Sequence, residues 1–194
     1  MKHKIYLQNI GLVDKPILVK LKKNLEWSFK SFEVEFKICS NVLPLYDFEY
    51  VSGKKQFDAP LILKRLMSQA KRKDYFRILG IIDQDIFSGF YEFNFGVARL
   101  PKKFKTRLPR VALISIFRLK FLGLNYDREE KPALLEKRIL TESIHELGHT
   151  FGLVHCENDC VMQFSDSLMQ VDKKSPNFCD KCKGKLEDVF LNLD

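Results

Sequence analysis

The spacing of apolar and polar positions changes several times along the chain, and each change marks an element. Residues 3–10 (HKIYLQNI) alternate enough to predict a strand. Asp14 and Pro16 then stand before a stretch from Ile17 to Trp27 that carries Leu18, Leu21 and Leu25 among lysines, which predicts a capped helix. Residues 32–39 (FEVEFKIC) alternate strictly between apolar and polar, the pattern of a half-buried strand. Pro44 to Gly53 reads as a loop, and Ala59 to Lys73 as a basic amphipathic helix. Phe76 to Ile82 is a continuous apolar run ending at Asp83, a buried strand; Phe90 to Leu100, rich in aromatics, and Val111 to Leu119 read as two more.

A long helix is expected next, with Pro132 near its start and Gly152 near its end. Ala133, Leu140, Ile144, Leu147 and Phe151 recur at steps of seven, four, three and four, an apolar stripe suited to packing on a sheet. The succession of strands and helices predicts an α/β (α+β) chain with a mixed sheet. No internal repeat, low-complexity tract or linker interrupts it, so residues 1–194 are expected to form a single domain.

Composition agrees and removes alternatives. With 45% apolar and 30% charged residues, the chain has a globular balance, not that of a disordered, collagenous or membrane protein. No run approaches the roughly 18 apolar residues of a membrane span. The N-terminus MKHKIYLQNI lacks the apolar core of a secretory signal, so a cytoplasmic monomer is expected. The net charge of +8 admits an acidic partner. The basic stretch at 101–110 (PKKFKTRLPR) lacks the interleaved aromatics of a single-strand reader and is expected to be a solvated loop, with no specific nucleic-acid target.

The chemistry is concentrated late in the chain. Three of the four histidines lie between His145 and His155, and four of the five cysteines between Cys156 and Cys182; Cys39, set apart, reads as a buried strand residue. Residues 145–155, HELGHTFGLVH, have the form H-E-x-x-H-x-x-G-x-x-H. On a helix, His145 and His149 lie one above the other and can reach one metal ion. Glu146 is rotated by about 100° from His145 and falls beside the ion, where it can take a proton from a zinc-bound water as general base. Gly152 can break the helix and bring His155 back as a third ligand. Three imidazoles leave a fourth position for water, the open pattern of a catalytic zinc site.

HELGHTFGLVH resembles the motif of the metzincin clan of zinc metallopeptidases, which implies a methionine turn beneath the metal. Met162 is the candidate for that turn, with Met169 as its competitor. The continuation, HC-x₃-C-V-M and then FCDKC, is similar to the archaemetzincin family. The motif covers His145 to Cys182, 38 residues. The resemblance implies a metzincin-like zincin fold, with an upper part (1–155) closed by the active-site helix and a short C-terminal part (156–194) stapled by zinc. It implies hydrolysis of a peptide or protein substrate and two zinc ions per chain: a catalytic one on His145, His149 and His155, and a structural one on Cys156, Cys160, Cys179 and Cys182. The chain departs from the family pattern by one residue between the first two cysteines and by one between Met162 and Cys179. It also has no tyrosine soon after Met162 to act as an extra ligand.

Read by themselves, the cysteines point the same way. Cys179 and Cys182 form C-x-x-C, a knuckle spacing, and Cys156 and Cys160 supply a second pair for a closed four-sulfur site. A redox dithiol and two disulfides are the rivals. The first would want a strand–helix setting, and the second an oxidising compartment. Residues 91–98 (YEFNFGVA) are expected either to form the edge strand that receives an extended peptide or to be a plain core strand. The rival to an enzyme is a non-enzymatic or latent zinc-binding protein whose basic surface meets nucleic acid or an acidic partner. Glu146 argues against it, because a structural three-histidine site needs no base.

Overall fold

A computed structural model describes residues 2–99, 110–121 and 131–193. The main sheet has five strands, ordered β2 (Val34–Ile38), β1 (His3–Ile10), β5 (Arg77–Ile82), β8 (Arg110–Ser115) and β7 (Gly96–Ala98). The first four run parallel and β7 pairs antiparallel with β8, closing one edge. A smaller sheet joins β3 (Tyr50–Val51), β4 (Gln56–Asp58) and β6 (Ile86–Phe87).

The central strands explain the layers. β5 is buried along its whole length, as a parallel strand covered on both faces must be. Leu79 and Ile81 face α1 (Lys15–Ser28) and α3 (Lys131–Thr150), together with Ile5, Leu7 and Ile114 of the neighbouring strands. Ile78 and Ile82 face α2 (Ala59–Arg72) with Ile10, Val111 and Leu113. Asp58 caps α2 by accepting from the Leu61 N–H at 3.1 Å, and Pro60 occupies its first turn. Gly80 is needed where α2 crosses: a Cβ there would stand 2.7 Å from a Leu66 methyl.

Several sequence expectations are corrected. The strand expected over Phe90–Leu100 is ordered as strand only at Gly96–Ala98, because upstream of it the backbone turns to bond elsewhere, Asn94 donating to the Ile86 carbonyl at 2.9 Å. The strand expected to Leu119 ends at Ser115, and a short 3-10 turn covers Arg118–Lys120. The Pro44–Gly53 loop contains a 3-10 turn at Asp47–Glu49 and β3. Ala133 is exposed, so the expected stripe does not reach the start of α3, and from Thr141 to Gly148 the helix is buried on every side and not along one stripe. Cys39 is half-buried just beyond β2. The basic stretch at 101–109 lies outside the described residues.

The C-terminal part holds two helices that the spacing of apolar residues did not predict, α4 (Leu168–Lys173) and α5 (Asp180–Leu191). Phe190 of α5 stacks on Phe32 at 5.0 Å and meets Phe151 at 5.0 Å, which seats the chain's end against the main core. Arg138 of α3, 1% exposed, forks onto Asp172 of α4 through bonds of 2.6 and 2.7 Å. Its other nitrogen donates to the Leu119 and Phe121 carbonyls.

Candidate active site

The end of α3 shapes the site. Gly152 has φ +91°, a left-handed conformation that only glycine enters cheaply. Its N–H donates to the His149 carbonyl at 2.9 Å, and the Leu153 N–H to the Gly148 carbonyl at 3.1 Å. This is the paired closure of a Schellman end, and it sends the chain back along the helix. His155 returns to His145 and His149, and one ligand atom from each of the three lies within 4.8 Å of the others.

The protonation pattern follows from the partners. His145 Nδ1 is 2.8 Å from the Val161 carbonyl, and His149 Nδ1 is 2.8 Å from the Leu153 carbonyl. A carbonyl only accepts, so both Nδ1 atoms carry the proton and both Nε2 atoms present lone pairs. Those two Nε2 atoms are 3.0 Å apart. Facing lone pairs at that distance repel unless a cation lies between them. Two nitrogens bound to one tetrahedral zinc sit about 3.3 Å apart, so the donor set fits that ion. Burial lowers the pKa of His145 well below its ordinary value and that of His149 to about 4, with the Lys174 ammonium contributing to both. Neutral imidazoles are what a metal requires.

Glu146 lines, together with the three imidazoles, a cleft of about 390 Å³. It is 4% exposed, and its Oε2 has no hydrogen-bond partner among the described residues. Burial, then the neighbouring Glu142 carboxylate, raises its pKa well above the ordinary range. Gly96 of β7 lies directly against it: a Cβ there would be 2.5 Å from Glu146 Cγ. Every residue from Tyr91 to Ala98 lines the cleft, as do all three histidines. Phe164 forms the opposite wall, its ring 5.1 Å from that of His155.

Met162 is fully buried beneath the helix at Gly148, while Met169 is 64% exposed, so the former occupies the position of the methionine turn. The Met162 carbonyl accepts from the Cys156 N–H at 3.0 Å. Val161, whose carbonyl orients His145, stands between Cys160 and Met162.

The four late cysteines converge beyond this turn, their sulfurs within 4.8 Å of one another. Cys156 and Cys179 Sγ are 3.8 Å apart, far beyond a disulfide and equal to the sulfur spacing of about 3.8 Å around tetrahedral zinc. The Cys179 N–H and Met162 N–H both point at Cys160 Sγ, at 3.3 and 3.5 Å. Burial acts to raise the Cys179 thiol, but the Cys182 N–H, the Asn158 side chain and the adjacent thiols together bring it down to about 6. Cys39 lies apart, beside Tyr75.

Glu142, Lys174 and Gly96 were not singled out by sequence. Glu142 had a signal, since it precedes Glu146 by one helical turn and therefore shares its face. Gly96 lay within the 91–98 segment expected as a peptide-receiving edge, though nothing local placed it against Glu146, and Lys174 had no signal, because only the tertiary fold brings it to α3.

A parallel-rich sheet with an antiparallel edge strand above a helix, and three imidazoles converging below that edge, define a zincin-like metallopeptidase. The model of peptidase family M54 matches residues 34–188. The archaemetzincin of Methanocaldococcus jannaschii is 39% identical over 195 residues, covering 98% of this chain and 97% of that protein. The archaemetzincin of Pyrococcus furiosus is 36% identical, covering 97% and 94%. Among solved structures, the archaemetzincin from Methanopyrus kandleri superposes with a TM-score of 0.75 at 30% identity, covering 98% of this chain and 97% of that one. The Archaeoglobus fulgidus archaemetzincin, solved with malonate, gives 0.74 at 30%, covering 94% and 99%. The chain therefore belongs to peptidase family M54, the archaemetzincins, and is a zinc metallopeptidase. Among the described residues, no helix is long and apolar enough to cross a membrane.

Proposed function

We propose that the chain hydrolyses peptide bonds with Glu146 as general base, His145, His149 and His155 as the ligands of a catalytic zinc, and Cys156, Cys160, Cys179 and Cys182 as the ligands of a second, structural zinc. The observation that carries this reading is the pairing of two inward-facing Nε2 lone pairs 3.0 Å apart with a buried carboxylate oxygen, unpartnered among the described residues, in the cleft that the histidines also line. When bound at the histidines, zinc supplies Lewis acidity, which lowers the pKa of water and polarises a carbonyl.

The chain's residues do the rest. Glu146 takes the proton of the attacking water and returns it to the leaving amine. The carboxyl is buried with its Oε2 unpartnered among the described residues, so that oxygen is left to accept the proton. Among the described residues β7 pairs only with β8, and its other edge is where an extended peptide would add a strand by backbone bonding while the aromatic walls take side chains. The cysteine site holds the segment that carries Val161 and Met162, and hence the orientation of His145. Residues 1–155 and 156–194 act as one catalytic unit.

The test is metal analysis together with digestion of a peptide library, followed by mass spectrometry. The proposal predicts two zinc ions per chain and cleavage that stops when mild chelation removes one and returns when zinc is restored. Zinc-loaded protein that cleaves no peptide, or cleavage that survives loss of the first zinc, would contradict it.

A further inference from the structure

Behind the cleft lies a buried ion pair that the hydrolytic steps do not use. Lys174, the residue that closes α4, is 2% exposed, and Glu142 on α3 is 4% exposed. The lysine Nζ lies 2.9 Å from Glu142 Oε1 and donates to the Gln163 carbonyl at 3.2 Å. Both partners lead to the cleft. Glu142 lines it one turn before Glu146, and Gln163 directly precedes Phe164, Ser165 and Asp166, which line the opposite wall. One ammonium therefore ties the active-site helix to the wall that follows the methionine turn.

Stability does not explain such a pair. Removing both charges from water costs about as much as their attraction returns, and an apolar pair of the same volume often does as well. What the ion pair adds is a fixed separation: an ammonium in close ion contact with a buried carboxylate and bonded to a backbone carbonyl holds two backbones together, and an apolar contact slides.

We infer that Lys174 is a positioning residue for the reaction: by pairing with the Glu142 carboxylate and bonding the Gln163 carbonyl it fixes the Phe164–Asp166 wall relative to Glu146, so that a bound peptide meets the base in register. This inference rests on Glu146 being the base. Lys174 does not line the cleft and touches no substrate, so its effect falls on the turnover step more than on binding. Misplacement of a reacting group by about 1 Å costs on the order of 10²-fold in rate, and a loosened wall is expected to cost at least about tenfold.

The experiment compares the wild type, Lys174→Met, and the double variant Glu142→Leu/Lys174→Met, reading kcat and KM separately alongside thermal midpoint and zinc per chain. Lys174→Met leaves a carboxylate buried and unpaired, so it should melt early, and the double variant carries the test if it does not fold. The double variant should regain a wild-type midpoint and both zinc ions, yet keep kcat at least about tenfold down with KM within about threefold. A double variant whose kcat recovers together with its midpoint, or one that still melts early or loses zinc, would give the pair a structural role and overturn the inference. Failure of the wild type itself to cleave any peptide would instead overturn the assignment of Glu146, before any variant is compared.

Discussion

Replacing Gly96 with alanine adds one methyl group where β7 meets the base. That Cβ would stand 2.5 Å from Glu146 Cγ, 2.6 Å from Oε1 and 2.8 Å from Cδ, whereas ordinary contact begins at 3.4 Å. The shortfall at Cγ is 3.4 − 2.5 = 0.9 Å. Neither backbone yields readily: Gly96 is paired with Ile114 in the sheet, and α3 is buried on all sides at this point. The carboxylate must therefore move, by about 1 Å, and such a displacement costs on the order of 10²-fold, or about 2.7 kcal/mol of transition-state stabilisation. Stability should change little, since alanine favours a strand over glycine by about 0.5–1 kcal/mol and offsets part of the crowding. The histidine site should keep its zinc, because the three atoms nearest the added methyl all belong to Glu146 and none to an imidazole. The assay is kcat/KM on a fluorogenic peptide that the wild type cleaves, with zinc content and thermal midpoint measured in parallel. Gly53→Ala is the control, as nothing lies within 4 Å of its Cβ position, and it should behave as wild type. A Gly96→Ala protein within about threefold of wild-type kcat/KM would show that the position of Glu146 does not set the rate.

Cys179→Ser removes one of four thiolates from a closed site; it should lose one zinc, melt earlier and open residues 156–193 to limited proteolysis, and unchanged zinc and melting would refute the four-sulfur site. Gly148→Ala places a methyl group against the buried Met162 sulfur, an overpacking that should cost about 1–3 kcal/mol in urea unfolding, and a cost near zero would mean the two are not pressed together. With the histidine-site zinc chelated, stability should fall as pH drops from about 6.5 towards 4, because His149 is held neutral in the fold, with its pKa lowered to about 4, while the unfolded chain protonates first near 6.5. The full effect of that one residue is on the order of 3 kcal/mol, and a His149→Gln protein with the same pH dependence would refute it.

The histidine and cysteine chemistry was legible because it depends on local spacing. His145 and His149 share a helix face by period alone, and the turn at Gly152 that returns His155 needs only a residue tolerant of positive φ. The parallel core was legible for a similar reason, since a run such as Phe76–Ile82 has no polar face to expose. Phe90–Leu100 misled because its alternating aromatics face a cleft, not a neighbouring sheet, so the period persists where backbone pairing does not. Helices α4 and α5 escaped notice because they are anchored by contacts distant in sequence, such as Arg138 on Asp172 and Phe190 on Phe32, that no local pattern announces. Lys174 was invisible for the same reason: its two partners lie 32 and 11 residues away in sequence.

The central claim is that Glu146 acts as the base beside a zinc held by three histidines. Glu146→Gln tests it most directly, since the amide keeps the size of the side chain, cannot take the proton, and leaves all three imidazoles untouched. Zinc per chain and peptide cleavage should be measured on the variant and the wild type in parallel. The account predicts two zinc ions in both proteins and cleavage lower by at least about 10²-fold in the variant. Full cleavage by Glu146→Gln with its zinc in place would contradict it.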